Sequence, residues 1–120
     1  MVVGVCQIAF SLPGNDSLKG KRSVVRRIVD RTRARFNVAV AEVAALDEHR
    51  RTVIGFSVVS NDTRHVNSML DHITTYMAAQ TEAVVLTRSL EILHVDGEPS
   101  PLPEALRGSE LQAAPDTDED

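Results

Sequence analysis

A chain of 120 residues, 42% hydrophobic and 25% charged, has room for one hydrophobic core and one domain. Its single cysteine, Cys6, excludes an intrachain disulfide and any zinc site built on cysteines, and its few aromatics (Phe10, Phe36, Phe56, Tyr76, no Trp) require an aliphatic core. The net charge of −4 hides a segregation: residues 96–120 hold eight acids against Arg107, a net −7, which leaves residues 1–95 at +3.

Val2–Leu12 reads as the first strand, with Val2, Cys6, Ile8, Phe10 and Leu12 on the bulkier, inward parity. The apolar start MVVGVCQIAF lacks the basic leader and cleavage site of a signal peptide. No run reaches the ~20 apolar residues of a membrane-spanning helix. A soluble cytoplasmic protein is expected, and a lone thiol suits a reducing compartment. Pro13-Gly14-Asn15-Asp16 ends the strand with turn chemistry.

Ser17 is the expected N-cap of the first helix. On a helical wheel Leu18, Val24, Val25, Ile28, Val29 and Thr32 share one face. Lys19, Arg22, Arg26 and Arg33 line one flank of it, and Arg27 and Arg31 the other. Phe36–Ala44 alternates and is β-branched, so a second strand. Thr52–Ser60 is a third, with Ile54, Phe56 and Val58 inward. Asn61-Asp62 caps a second helix from Thr63 to about Ala79, whose stripe is Val66, Met69, Leu70, Ile73 and Met77. Glu82–Val95 is a fourth strand. From Gly97, prolines and acids predict disorder.

The order β-α-β-β-α-β predicts an α+β, ferredoxin-like fold over residues 1–95, a four-stranded antiparallel sheet with both helices on one face. Residues 96–120 form an acidic, Pro-rich tail. The opposite face stays open, with Val3, Val5, Ala9, Ala39, Ala41, Val53, Gly55, Ser57 and Val59 as candidates for it. An apolar face of that kind predicts a homodimer through the sheet or through a strand edge; the alternative is a face covered by the tail or tolerated in water.

The most distinctive stretch is Ser17–Val43. It holds eight of the thirteen basic residues, with Asp30 as the single acid before Glu42. Pairing at i,i+4 spacing would need acids among the cations, and like charges repel. An external partner is expected to offset that repulsion. RNA or another polyanion suits it, because Arg presents a planar fork and Lys a point charge to phosphate. The candidate contacts are Lys19, Lys21, Arg22, Arg26 and Arg33. The alternatives are the acidic tail, an acidic protein, or a solvated face. Both Phe10 and Phe56 have core parity, so bases are not expected to stack on the sheet as they do in RNA-recognition domains of this topology. Backbone reading of structured RNA fits better.

Other motifs are weaker. Gly14–Ser23 departs from a Walker loop at Asn15 and at Arg22. A simple anion site at the helix start, beside Lys19, Lys21 and Arg22, competes with a turn followed by a capped helix. His49, His65, His72 and His94 lack metal-ligand spacing, so no metal and no cofactor are expected. Cys6 reads as an inert core thiol. Asn37 and Glu42 mark an edge, a ligand-facing site or plain exposure, the last favoured. Ser60-Asn61-Asp62-Thr63 reads as capping. With no nucleophile, base or cofactor motif, the chain is expected not to be an enzyme.

Four blocks carry a resemblance: Ser17-Leu18-Lys19-x-Lys21-Arg22, Arg33-x-Arg35-Phe36-Asn37-Val38, Glu42, and Val59-Ser60-Asn61-Asp62. In this order and spacing, over about residues 1–95, the chain resembles the YlxP-like family, a bacterial domain of unknown function. The resemblance implies a ferredoxin-like domain and a frequent genomic setting beside translation-initiation and ribosome-maturation genes. It implies no catalytic residues. A ribosome-associated, RNA-binding factor is the resulting expectation, with an acidic protein partner as the alternative.

Overall fold

The alternation of apolar residues along the strands and their 3.6-residue recurrence along the helices resolve into β1 (Val2–Ser11), α1 (Leu18–Arg35), β2 (Ala39–Ala44), β3 (Arg51–Ser60), α2 (Thr63–Ala78) and β4 (Val84–His94). The computed structural model describes residues 1–80 and 83–107. The sheet order is β2-β3-β1-β4, with every neighbouring pair antiparallel. This is the expected ferredoxin-like arrangement.

The inward parities hold. Cys6, Ile8 and Phe10 of β1 and Ile54, Phe56 and Val58 of β3 are buried with Ile28 of α1 and Val66, Leu70, Ile73 and Met77 of α2. Each such large side chain contributes about 1.5–3 kcal/mol on burial. Gly4 lets α2 come close to β1: a Cβ there would lie 2.5 Å from Val66 Cγ1 and 3.0 Å from Leu70 Cδ1.

Both caps form where expected. Ser17 Oγ accepts from Gly20 N at 2.9 Å and Asp62 Oδ1 from Arg64 N at 3.0 Å, each satisfying an otherwise orphaned helix donor. The Phe36 N–H donates to Thr32 O at 2.9 Å, so Phe36 ends α1 instead of starting a strand, and β2 begins at Ala39. The Phe36 ring meets Tyr76 of α2 edge-on, centroids 5.4 Å apart. The expected start of the fourth strand at Glu82 lies outside the described residues.

The open face is less uniform than its pattern suggests. Ala39, Ala41 and Val59 are exposed and Val3, Val5, Gly55 and Ser57 half-buried, but Ala9 and Val53 are buried. Beyond β4 the chain is exposed through Arg107, with a single 3-10 turn at Glu104–Leu106 in the segment expected to be disordered. The acids at 110, 116 and 118–120 lie outside the described residues.

The hydrogen-bond ladder assigns each strand's backbone groups a direction. Met1 and Val95 exchange two bonds, Met1 N to Val95 O at 3.0 Å and Val95 N to Met1 O at 2.8 Å. Bonded pairs alternate along an antiparallel ladder. Leu93, Glu91, Ser89 and Thr87 therefore bond Val3, Val5, Gln7 and Ala9 of β1. The N–H and C=O of His94, Ile92, Leu90 and Arg88 then point away from the sheet. At the other edge the same alternation turns Val40 and Glu42 of β2 outward.

Candidate polyanion-binding surface

The buried stripe of α1 is Lys21, Val25, Ile28 and Thr32. This i, i+4, i+7, i+11 series includes a cation, and that corrects one of the expected contacts. Lys21 is 1% exposed. Its Nζ lies 2.9 Å from Glu42 Oε2 and donates to Ala45 O at 2.6 Å and Leu46 O at 3.2 Å. A buried ammonium has three N–H groups to satisfy, and all three are taken. It is not available to an external phosphate.

Glu42 is likewise not simply exposed. At 15% exposure it faces Lys21 and accepts from Thr52 Oγ1 at 2.7 Å. The carbonyl of Ala45 reaches Lys21 because Ala45 adopts φ 60°, a left-handed conformation that costs a Cβ-bearing residue roughly 1 kcal/mol or more. Lys21 thus ties α1 to β2 and to the loop before β3. The signal was present in the sequence: Lys21 sits four residues before Val25, within the apolar stripe itself, and was passed over because it is charged.

The opposite face of α1 carries Lys19, Arg22, Ser23, Arg26, Arg27 and Asp30 along one shallow groove. Lys19, Arg22 and Arg26 are exposed and Arg27 half-buried. None of these four cations has an ion-pair or hydrogen-bond partner among the described residues. Arg27 belongs with this group and not on a separate flank. A second hollow, between α1 and β2, is lined by Arg22, Arg26 and Arg33, by Val25, Val29, Val40 and Ala41, and by the acids Asp30 and Glu42.

Arg33 has two engagements of its own. Its Nη2 donates to the outward carbonyl of Val40 at 3.0 Å, and its Nη1 lies 4.0 Å from Asp30. The last turn of α1 is occupied against α2. Arg31 donates to Gln80 Oε1 at 3.3 Å, and the Arg35 guanidinium lies 5.2 Å from the Tyr76 ring centroid. Four of the five expected contact residues therefore remain at the surface, and Arg22 and Arg26 line both grooves.

The helix start is a capped turn. The Gly20 N–H is bonded to Ser17, and the Asn15 amide donates to Ser17 O at 2.8 Å and to His49 O. A Cβ on Gly20 would collide with Asn15 Oδ1, so the turn packs closely against the start of α1. The histidines stay apart: His94 pairs with Thr63 at 3.1 Å and His72 lies 3.4 Å from Ser68. Among the described residues no three His, Cys, Asp or Glu side chains form a metal cluster. Burial pushes the Cys6 thiol up, with smaller opposing effects from Thr74 and Arg88. Asn37 is exposed in the bend before β2, and Ser60 accepts from Asp62 N at 3.2 Å.

The fold and this basic face define a small α+β domain of ferredoxin-like topology with a cationic helix on its surface. The family described as "Protein of unknown function (DUF503)" matches residues 3–89, and the chain belongs to that family. The uncharacterized protein YlxP of Bacillus subtilis (strain 168) is 33% identical over 76 residues, 63% of this chain and 83% of that protein. Among solved structures, a de novo designed protein with a ferredoxin fold matches 87% of this chain and 96% of its own, at a TM-score of 0.48 and 14% identity. No helix among the described residues is long and apolar enough to cross a membrane.

Proposed function

We propose that this chain is a non-catalytic, RNA- or ribosome-associated factor that grips phosphates with the outer face of α1. The observation that carries the reading is the set Lys19, Arg22, Arg26 and Arg27, four cations on one groove with Asp30 as its only acid and no partners among the described residues. Unpaired, adjacent cations repel, and a polyanion removes that cost. Backbone phosphates suit the surface, because the sheet aromatics Phe10 and Phe56 are buried against the helices and cannot stack bases. A thiol that is buried with its pKa raised is the opposite of an activated nucleophile, which favours a binding role over covalent catalysis.

The test is binding of the full chain to ribosomal subunits and to bulk RNA across a salt series. Each phosphate contact should contribute about −0.7 to −0.9 to the log–log slope. Replacing Arg22, Arg26 and Arg27 with Gln should flatten the slope by roughly two to three contacts. An unchanged slope overturns the assignment to this face. A second reading rests on Val25, Val29, Val40 and Ala41, which line one hollow with Arg22, Arg26 and Arg33, although Asp30 and Glu42 line it too. Such a hollow suits an acidic peptide with apolar anchors, and binding that survives nuclease treatment would favour it.

A further inference from the structure

We infer that the free edge of β4 is the interface with a second copy of this chain, paired antiparallel across a two-fold axis at Leu90. The inference stands apart from the α1 reading. β4 is 11 residues long and, among the described residues, pairs with β1 alone. Val84, Leu86, Leu90 and Leu93 are all more than 40% exposed. An edge that is long, apolar and unprotected is a template for another strand.

The occupant follows from the order of residues along that edge. The outward bonding groups belong to Arg88, Leu90, Ile92 and His94. In a two-fold antiparallel pair these must face their own equivalents. With the axis at Leu90, that residue meets Leu90 of the second copy, and Arg88 meets Ile92 in both directions. On the opposite face of the ribbon Glu91 falls against Ser89 and Leu93 against Thr87. No like charges meet. Moving the axis to Glu91 sets two carboxylates directly opposite each other. Moving it to Arg88 does the same with two guanidiniums, and like charges directly opposite destabilise a pair. An axis at Ser89 brings Ile92 onto Leu86, the extra residue of the irregularity between Ala9 and Phe10, where the ladder breaks. An axis at Ile92 also keeps like charges apart, but it runs off the end of the strand at His94; the axis at Leu90 centres the pairing on Arg88–Ile92, where the strand is regular, and meets Leu86 only at its margin, opposite His94.

In this register the two Leu90 side chains share the face that carries the helices, in the gap beside α2. Arg88 is held on the same side by Asp71 Oδ1 at 2.9 Å and Thr74 Oγ1 at 3.2 Å, so it does not swing across the seam. The interface is isologous, as closed dimers require. It is also small against the roughly 800 Å² per partner of a standard interface, so it is a concentration-dependent equilibrium.

The experiment is sedimentation velocity of the full chain from roughly 1 to 200 μM, a range that brackets a small interface of this kind, with amide exchange at both ends. The expected result is a monomer-to-dimer shift, with the amides of Leu90 and Ile92 protected at the high end only. Leu90→Lys should abolish the dimer. Leu90→Pro removes one outward N–H that β1 does not use, and should abolish it too. Val59→Lys, on the open sheet face at 63% exposure, should leave it intact. A monomer throughout overturns the inference, as does a dimer lost through Val59→Lys and kept through Leu90→Lys. Protection of Leu90 and Ile92 in the dilute monomer would assign the edge to the chain's own tail and overturn it equally. Far-UV circular dichroism of Leu90→Lys shows that loss of the dimer is not loss of the fold.

Discussion

The two edges of this sheet are built from the same strand chemistry and finished differently. β2 is six residues long, breaks register between Glu42 and Ala44, and has the carbonyl of Val40 taken by Arg33. Beneath it Lys21 and Glu42 fasten the strand to α1. β4 is eleven residues long and, among the described residues, none adds a strand outside it. Short length and a side chain spent on an outward carbonyl are devices against strand addition, and they belong to β2; both edges carry a register irregularity, but that of β4 leaves Thr87–His94 regular. An edge is thus not sticky because it is β-structure; it is sticky where nothing spends its outward N–H and C=O groups.

The largest effect is expected at the fastening of the protected edge. Lys21→Met strands the Glu42 carboxylate in a mostly buried site and should cost about 3–5 kcal/mol, read from denaturant unfolding at constant m. Adding Glu42→Gln, which keeps an acceptor for Thr52, should recover a good part of that loss. If Lys21→Met unfolds like the parent chain, β2 is not held by this pair. Next is the seat of α2 on β1. Gly4→Ala forces a methyl to 2.5 Å from Val66 and should cost about 1–3 kcal/mol, visible as a lower melting temperature. A neutral result would mean α2 can lift away from the sheet.

A smaller effect sharpens the contrast itself. Arg33→Gln uncaps Val40 and should cost about 0.5–1.5 kcal/mol, the usual worth of one such bond. If β2 is kept private mainly by that guanidinium, the variant should also gain a weak self-association that survives Leu90→Lys. The smallest perturbation is none at all: amide exchange on the dilute parent chain should alternate along β4. Ser89 and Glu91, bonded to β1, should exchange slowly and Leu90 and Ile92 quickly. The reverse alternation, with Leu90 and Ile92 slow and Ser89 and Glu91 quick, would refute the ladder polarity deduced from Met1 and Val95.

Much of this was legible in the sequence. Period-two alternation placed Ile8, Phe10, Ile54 and Phe56 in the core, and the i, i+3, i+4 stripe placed Val66, Leu70 and Ile73 opposite them. Ser17 and Asp62 announced the helix starts through their capping oxygens. Three features were not read. Phe36 has strand propensity, but its N–H closes α1 and its ring is claimed by Tyr76, so tertiary contact overrode preference. Lys21 looks like one more cation in a basic run. Only the presence of Glu42 and a ring of carbonyls, brought in from residues at least twenty positions away, makes burial tolerable. Arg27 was placed on the flank with Arg31, and the groove that joins it to Lys19, Arg22 and Arg26 across the back of the helix was not read. Long-range partners decide such cases, and a local pattern does not contain them.

Cys6 sits on β1, a strand flanked on both sides, with 2% of its surface accessible and a thiol held protonated by burial. A thiol reagent can reach it only when the middle of the sheet opens. Because it is the lone cysteine, each modification event is one opening of that strand. Where reclosing outruns labelling, the free energy of that opening should match global unfolding rather than local fraying, and in excess reagent the labelling rate becomes the opening rate itself. The chain carries its own reporter of kinetic stability, and no residue has to be introduced to use it.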